Sequence, residues 1–442
     1  MRRAAAVTAA TLAITAITWA GSTPSTPTPM PGQVGELFGS LALVTMALML
    51  VIATRWPIVD RLCGGLDKAY VAHKWLGIAS FALLIGHLLA LHAARLPRSE
   101  QMLVHAGGPA FVMLLAALMF ALVARKVNYQ AWKLVHLLVV VPYGIGVAHY
   151  YGASSFQPFG FSPFSLWLDV VNLVGVVAAI WAVVFFCLPG RRYRYGVSTC
   201  RPVADGVLEI TAKPLGRAID FKPGQFAFIT VPRLGFASHP FTVSSGTGEP
   251  LQFTVKALGD DTTRLVNHLQ PGDRLSVAGP YGGFDPAGGL SHQIPPAWHA
   301  GIWIAAGIGI TPFRSLWRTG LPDRLSVDLF YAYHGVANGA YLDELAAINR
   351  PNFRVHLVDT VTEGRLSAAK IADTVATSGP YDVYFCGPGT LRDALRADLP
   401  AAGIDLAGFH YEEFDFGRRH HRPSSRQSQQ RSPVELAPSL TP

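Results

Sequence analysis

Charged residues are scarce in this sequence: only 14% of its 442 residues are Asp, Glu, Lys or Arg, whereas 50% are hydrophobic. So little charge excludes an ordinary soluble protein and predicts a membrane-embedded part. The scarcity is confined to about the first 190 positions, because charged residues return at a soluble density after Pro189. Two different modules are therefore joined near that residue.

Cysteine is also scarce. The four cysteines show none of the close spacings that hold zinc or an iron–sulfur cluster; they are Cys63, Cys187, Cys200 and Cys386. Basic charge is not lacking, since the net charge is +8, but many of the basic residues flank apolar runs. They fit a membrane surface, and no nucleic-acid partner is expected.

Six apolar runs in the N-terminal module are long enough to cross a membrane, which takes about 20 helical residues. They lie at about 4–20, 37–54, 70–94, 108–124, 130–150 and 166–188. The first run could also be a cleavable signal peptide, but a retained helix is favoured. Most basic flanking residues fall on one side of these six helices. The positive-inside rule therefore predicts a multi-pass protein of the cell membrane, with the soluble module in the cytoplasm.

Four histidines lie inside these runs, where ionisable side chains are costly and usually functional. His73 and His87 are in the third run, and His136 and His149 are in the fifth. The separations, 87 − 73 = 14 and 149 − 136 = 13 residues, are taken as close to whole helical turns, which predicts one face per helix. His73 facing His136, and His87 facing His149, would provide the axial ligands of two six-coordinate haems. Hydrogen-bonded bundle histidines, or a metal site without haem, are the alternatives.

The C-terminal module begins with short alternating runs at 206–213, 225–231 and 251–257, which predict a small antiparallel barrel. Within it, His-Pro-Phe-Thr-Val-Ser-Ser at 239–245 offers an aromatic ring and hydroxyl groups that suit a flavin. From residue 301, strands alternate with helices and predict a parallel sheet. Glycine-rich turns follow two of these strands, at 307–312 and 386–389, and indicate a nucleotide crevice.

These motifs, in this order behind a helical domain with paired histidines, resemble the NADPH oxidase and ferric reductase superfamily. Gly-Pro-Tyr-Gly-Gly-Phe at 279–284 adds to the match, which covers about residues 37–416. The resemblance implies a multi-domain membrane protein with a six-helix transmembrane bundle, an antiparallel β-barrel FAD domain and an α/β nucleotide-binding domain. These domains are expected at 1–190, 191–298 and 299–416, with a disordered tail at 417–442.

The resemblance also implies roles for individual residues. Flavin contacts are implied for His239, Pro240, Phe241, Thr242, Ser245 and Gly282. Nucleotide contacts are implied for Gly307, Gly309, Thr311, Pro312, Gly387 and Pro388. The groups expected at the reacting rings are Thr242, Cys386, and Phe414 or Phe416 stacked on the flavin. Burial in the last strand is the alternative for the two phenylalanines.

The function implied is that of an NAD(P)H-dependent transmembrane oxidoreductase. Electrons would pass from NADPH or NADH through FAD and two b-type haems to an extracytoplasmic acceptor, such as a ferric chelate, dioxygen, a quinone or a partner protein. No Arg follows the second nucleotide-domain strand at 333–335 to bind a 2′-phosphate, so NADH is open as donor. The lack of Arg in 37–53 disfavours superoxide production. A nucleotide-sensing membrane protein, or a haem subunit serving a quinone or partner protein, is the alternative function.

Overall fold

The computed structural model describes residues 2–95, 102–124, 134–187, 192–286, 299–323, 325–375 and 380–412. An N-terminal group of helices is followed by an antiparallel sheet and then by a parallel sheet with helices. This order agrees with the predicted order of modules, because apolar runs form the helices and alternating runs form the strands.

The N-terminal helices follow the apolar runs of the sequence. Their bounds are α1 Arg2–Ala20, α2 Met30–Ala53, α3 Pro57–Cys63, α4 Leu66–Ala94, α5 Met102–His105, α6 Gly107–Ala124, α7 Val140–Ala153 and α8 Pro163–Cys187. Prolines stand in the first turn of α2 and α3, where the missing N–H would have no helical partner anyway. Gly64 ends α3 in the left-handed conformation that glycine adopts without strain.

Five segments of the described chain are long and apolar enough to cross a membrane, and they make this part a multi-pass membrane domain. They are Arg3–Ala20, Met30–Ala53, Lys68–Ala94, Leu134–Ala153 and Pro163–Val184. The run predicted at 108–124 does form α6, but its apolar part, Gly107–Phe120, is shorter than the about 20 residues that a spanning helix takes. The prediction of six spanning helices is therefore not confirmed.

The segment Leu134–Ala153 is not a regular helix throughout. The backbone N–H of Val139 donates to the His136 carbonyl at 3.3 Å, and that of Val141 donates to the Leu138 carbonyl at 3.0 Å. These three-residue steps wind more tightly than an α-helix. Pro142 follows directly and lacks the N–H that would continue the regular ladder.

The antiparallel sheet has six strands in the order β4-β3-β6-β1-β2-β5. The strands are β1 Tyr193–Ala204, β2 Val207–Pro214, β3 Phe226–Val231, β4 Phe236–Thr242, β5 Leu251–Lys256 and β6 Arg274–Tyr281, and helix α9 Asp260–His268 follows β5. In the described part of the chain, no ladder joins the edge strands β4 and β5: just past the end of β4, an isolated bridge links Val243 with Phe253, and the Ser244 N–H donates to the Gln252 carbonyl at 2.9 Å. The predicted closed barrel is therefore not confirmed, although the antiparallel sheet is.

The parallel sheet has five strands in the order β11-β10-β7-β8-β9. They are β7 His299–Ala306, β8 Leu325–Tyr333, β9 Phe353–Asp359, β10 Tyr381–Cys386 and β11 Leu406–Tyr411. The accompanying helices are α10 Thr311–Thr319, α11 Leu342–Ala346, α12 Ala368–Ala372 and α13 Gly389–Ala401. The chain leaves β7 towards one edge and β10 towards the other, so the strand order reverses between them. Ligands of such sheets bind at the carboxyl ends of the strands at this reversal point.

Candidate functional site

The four membrane histidines form two facing pairs. The inner pair is His73 of α4 with His136, whose ring centres are 6.0 Å apart at an interplanar angle of 70°. The outer pair is His87 of α4 with His149 of α7, at 6.3 Å and 83°. The structure therefore brings together the residues that the sequence paired, although their role as haem ligands stays a prediction.

The prediction that a regular helix places His136 and His149 on one face was wrong. Thirteen residues make about 3.6 turns of a regular α-helix, so the spacing of His136 and His149 does not by itself place them on one face. The tight turn between His136 and Pro142 winds about 120° per residue and advances the residues that follow it. This irregularity allows both histidines to face α4.

Both histidines of α4 are oriented by backbone carbonyls of α2. Nδ1 of His73 lies 3.2 Å from the carbonyl oxygen of Met49, and Nδ1 of His87 lies 2.7 Å from that of Gly35. An imidazole that donates its Nδ1–H to a carbonyl presents Nε2 as a metal ligand, and this arrangement is usual around bound metals.

The spacing of the rings fits an iron between them. A metal–nitrogen bond of about 2.0 Å plus about 1.1 Å from nitrogen to ring centre gives about 6.2 Å between two axial imidazoles. Direct edge-to-face packing would also occur at such distances. Among the described residues no group of three or more His, Cys, Asp or Glu side chains could hold a metal ion. A haem needs only two protein ligands, so the residues present fit that group.

Two glycines give the outer pair its room. A Cβ on Gly39 would lie 2.9 Å from Nδ1 of His87, and one on Gly107 would lie 2.9 Å from Nε2 of His149. Any side chain there would push the imidazoles aside. Sequence reasoning missed both glycines; the only available signal was the i, i+4 spacing of Gly35 and Gly39 in an apolar helix.

The antiparallel sheet packs against the membrane domain at the end of the bundle where the inner pair lies. Phe226 and Phe228 of β3 join an apolar cluster with residues of α3 and the start of α4. Arg55 adopts a left-handed backbone (φ 54°), donates to the Tyr70 hydroxyl at 2.7 Å and places its guanidinium 5.0 Å from the Phe228 ring centre. In the sequence, Arg55 is simply one of the basic residues that flank an apolar run, and nothing there indicates these contacts.

The segment 239–245, for which flavin contacts are predicted, is called the flavin segment. It begins in β4, the strand beside this contact. Thr242 pairs with Phe226 and Pro240 pairs with Phe228 in the β3–β4 ladder. The segment is thus one strand away from the surface that contacts the membrane helices. Because the strands of a sheet are about 4.8 Å apart, a group bound along β4 lies close to the inner end of the bundle.

The individual flavin candidates differ in their surroundings. Phe241 is partly buried and its ring stacks 6.2 Å from that of Phe236, whereas Nε2 of His239 lies 3.6 Å from a carboxylate oxygen of Asp261. Ser245 is fully buried; its hydroxyl accepts the Gln252 N–H and its carbonyl accepts the Ser315 hydroxyl. Those bonds place Ser245 in the seam between the two soluble sheets.

The position of Gly282 favours glycine, both by its backbone conformation and by its close neighbours. It follows β6 with φ +99°, and a Cβ there would lie 3.0 Å from Cδ1 of Phe226 and 3.3 Å from a carboxylate oxygen of Glu412. A larger residue at this position would therefore press on the strand beside the flavin segment.

The two nucleotide turns pack directly against each other. A Cβ on Gly309 would overlap the carbonyl oxygen of Cys386 and lie 2.6 Å from its carbonyl carbon, and a Cβ on Gly387 would lie 2.8 Å from that of Ala306. Gly307 has φ +55°, a left-handed conformation that favours glycine. Both turns sit at the carboxyl ends of β7 and β10, where the strand order reverses.

Helices begin immediately after each turn. The Thr311 hydroxyl donates to the Ile308 carbonyl at 3.1 Å, and Pro312 stands in the first turn of α10. Pro388 precedes α13 as its N-cap residue. Two helix N-termini therefore open into the same crevice, an arrangement that suits a pyrophosphate.

Cys386 ends β10 and is almost completely buried. Burial raises the pKa of its thiol well above the usual value, so the group stays neutral. Phe414 and Phe416 lie outside the described residues. The last described aromatic is Tyr411, whose ring centre is 4.6 Å from the Arg392 guanidinium and 6.0 Å from the Lys68 ammonium nitrogen. Tyr411 thus links the nucleotide domain to the start of α4.

A buried arginine joins the two soluble sheets. Arg314 of α10 lies 3.2 Å from a carboxylate oxygen of Glu209 and 3.0 Å from one of Glu344, and it donates to the Ser244 carbonyl at 3.0 Å. Its guanidinium stacks 4.1 Å from the Tyr341 ring centre. Sequence reasoning missed Arg314, because an arginine after an apolar turn carries no distinctive signal.

Three family models match the chain in the order of its domains. A ferric reductase like transmembrane component matches residues 38–147, an FAD-binding domain matches 194–285, and an oxidoreductase NAD-binding domain matches 303–397. Ferric/cupric reductase transmembrane component 2 of Saccharomyces cerevisiae is 24% identical over 372 residues, which cover 77% of this chain and 48% of that protein. In all three domains the chain matches the ferric reductase and NADPH oxidase superfamily. Its domains are those of an NAD(P)H-dependent oxidoreductase.

Two further relatives each match about half of this chain. The reductase component of propane 2-monooxygenase from Mycolicibacterium goodii is 26% identical over 252 residues, 51% of this chain and 69% of that protein. The ferredoxin reductase component of 3-ketosteroid-9-alpha-monooxygenase from Mycobacterium tuberculosis is 32% identical over 210 residues, 45% of this chain and 56% of that protein. Among solved structures, the match to phthalate dioxygenase reductase covers 51% of this chain and 68% of that one, at 20% identity and a TM-score of 0.42.

The chain spans only part of its curated relatives. It covers 48%, 56% and 69% of the three proteins named above. Shared domains therefore establish nucleotide and flavin binding, whereas the acceptor has to be argued from the residues of this chain.

Proposed function

We propose that this protein transfers electrons from cytoplasmic NADH or NADPH, through FAD and two bis-histidine haems, to an acceptor on the far side of the cell membrane. The proposal rests on the two facing histidine pairs, at 6.0 and 6.3 Å. The 14 residues from His73 to His87 correspond to about 21 Å along α4. Two facing pairs at that separation, each with one histidine oriented by a carbonyl, suit an electron path across a bilayer. Domains are assigned to 1–190, 191–298 and 299–416.

The residues of the soluble module bind the nucleotide and the flavin and orient them towards each other. The turns at Gly307, Gly309 and Gly387 let the backbone approach a pyrophosphate, and the neutral Cys386 thiol adds no charge beside it. When bound, FAD takes a hydride and releases single electrons, which haem carries one at a time. The β3 surface keeps the flavin segment close to the inner histidine pair, so that the distance between the two sites stays short.

Anaerobic reduction of the purified full-length protein tests this function. The protein should be produced with added haem precursor and titrated with NADH or NADPH, before oxygen, a ferric chelate or a quinone is admitted. We expect nucleotide to reduce both haems, and one of these acceptors to reoxidise them. A colourless protein, or haem that nucleotide leaves oxidised, would contradict the proposal.

Substitution of the histidines tests whether electrons reach the acceptor through the outer pair. His87→Ala and His149→Ala should each remove the outer haem and stop reduction of the acceptor, while nucleotide still reduces the inner haem. His92→Ala is the matched control, because His92 is exposed near the end of the same helix. Acceptor reduction that survives both outer-pair substitutions would rule out this path.

A further inference from the structure

The outer pair is connected to a carboxylate that is not one of its ligands. Gly35, whose carbonyl orients His87, is followed directly by the half-buried Glu36. The Glu36 carboxylate accepts hydrogen bonds from the Ser154 hydroxyl and from both the hydroxyl and the backbone N–H of Ser155, the last at 3.0 Å. Three donors therefore converge on one carboxylate at the outer level of the bundle.

These hydrogen bonds join the two elements on which the outer pair depends. Ser154 directly follows α7, which carries His149, whereas Glu36 belongs to α2, which orients His87. The Ser155 carbonyl in turn accepts the backbone N–H and the hydroxyl of Ser25, both at 2.8 Å. The connection from α1 to α2 is thus held to the same point.

We propose that Glu36 is a positioning residue for the outer haem. Its carboxylate holds the end of α7 against the start of α2 and so keeps His149 at ligating distance from His87. This inference rests on the two-haem function proposed above and adds a residue to it. Removing groups that orient metal ligands costs about 10- to 100-fold in affinity, and we expect a loss of that size for the outer haem. The inner haem should keep its affinity, because its pair lies about 21 Å away.

Paired variants of the full-length protein test this role. Glu36→Ala removes all three hydrogen bonds, whereas Glu36→Gln keeps the size and an oxygen that can accept the Ser155 N–H. Asp169→Ala is the matched control: Asp169 belongs to α8, accepts the Phe159 N–H at 2.9 Å and is hydrogen-bonded to Tyr151 of α7, so these contacts hold α7 to α8 and do not reach α2. The measurements are the haem-to-FAD ratio, the low-spin electron paramagnetic resonance signals of the oxidised protein and the midpoint potential of each haem.

We expect Glu36→Ala to lose the outer haem signal and keep the inner one, with Glu36→Gln restoring occupancy and Asp169→Ala matching the wild type. A wild type with two haems beside a Glu36→Ala protein with unchanged signals overturns this inference and leaves the proposed function standing. A wild type without haem overturns both. Equal losses in Glu36→Ala and Asp169→Ala reduce Glu36 to general packing and also overturn the inference.

If the Glu36→Ala protein does not accumulate in cells, a milder substitution tests the role of Glu36. The double variant Ser154→Ala, Ser155→Ala removes two donors and keeps the backbone N–H. A loss or shift confined to the outer haem signal in this double variant supports the role, and unchanged signals in it overturn the inference.

Discussion

Substitution of Gly309 by alanine should separate two features of the nucleotide site, its shape and its stability. The new Cβ would lie 2.6 Å from the carbonyl carbon of Cys386. Carbon atoms pack at about 3.5 to 4.0 Å, so the two turns have to move apart by about 1 Å. Both sides of this contact are backbone, which cannot move aside as a side chain can. A misplacement of about 1 Å can cost about 100-fold in rate, and overpacking costs about 1 to 3 kcal/mol of stability.

The assay is the rate of flavin reduction by NADH in anaerobic stopped flow, with the thermal unfolding midpoint measured on the same samples. Gly403→Ala is the control for a loss of stability alone, because Gly403 has a positive φ (+88°) that alanine would strain, has open space around it and lies after α13, away from the crevice. Its strain should cost about 1 to 2 kcal/mol, with flavin reduction unchanged. If Gly309→Ala reduced the flavin as fast as Gly403→Ala, the close packing of the two turns would be refuted.

Three further predictions concern the soluble module. Arg314→Met should lower the free energy of unfolding by about 3 to 5 kcal/mol, because it removes the buried cation between Glu209 and Glu344 and leaves the Glu209 carboxylate with the exposed Arg201 as its remaining cationic partner; a loss below about 1 kcal/mol in denaturant titrations would contradict this. Burial raises the pKa of Asp328, but hydrogen bonds from Arg354 and a neighbouring histidine outweigh it and leave that pKa below its usual value. The resulting stability is present above the unfolded pKa of about 3.9 and is lost as the pH falls through the folded pKa, and Asp328→Asn should flatten that part of a pH series of unfolding midpoints. Cys386 should resist alkylation by iodoacetamide at pH 8 until the protein is unfolded, since its thiol is buried and its pKa is raised; labelling of the native protein would show that the crevice opens.

Local patterns in the sequence predicted the soluble elements well. The run at 225–231 became β3, Phe226–Val231, and the run at 251–257 became β5, Leu251–Lys256. Such elements follow from alternation, which nearby residues determine. Closure of a barrel depends on how β4 and β5 meet across the whole sheet, and local alternation does not contain that information. The Arg314 ion pairs were likewise out of reach, because their partners are far away in the sequence.

In the membrane domain, local sequence patterns predict even less of how the histidines are arranged. The histidines drew attention to α4 and to the segment Leu134–Ala153, yet α2, which contains no histidine, orients two of them, His73 and His87. Its two carbonyls belong to Gly35 and Met49, which are 49 − 35 = 14 residues apart, the same separation as His73 and His87 on the antiparallel α4. A helical carbonyl already accepts the N–H four residues on, and its second lone pair is free for an imidazole. Matched spacing on two adjacent helices therefore fixes both ring orientations at once. A one-residue insertion in α2 between Gly35 and Met49 should disturb one haem level and spare the other, whereas the same insertion between α1 and α2 should spare both.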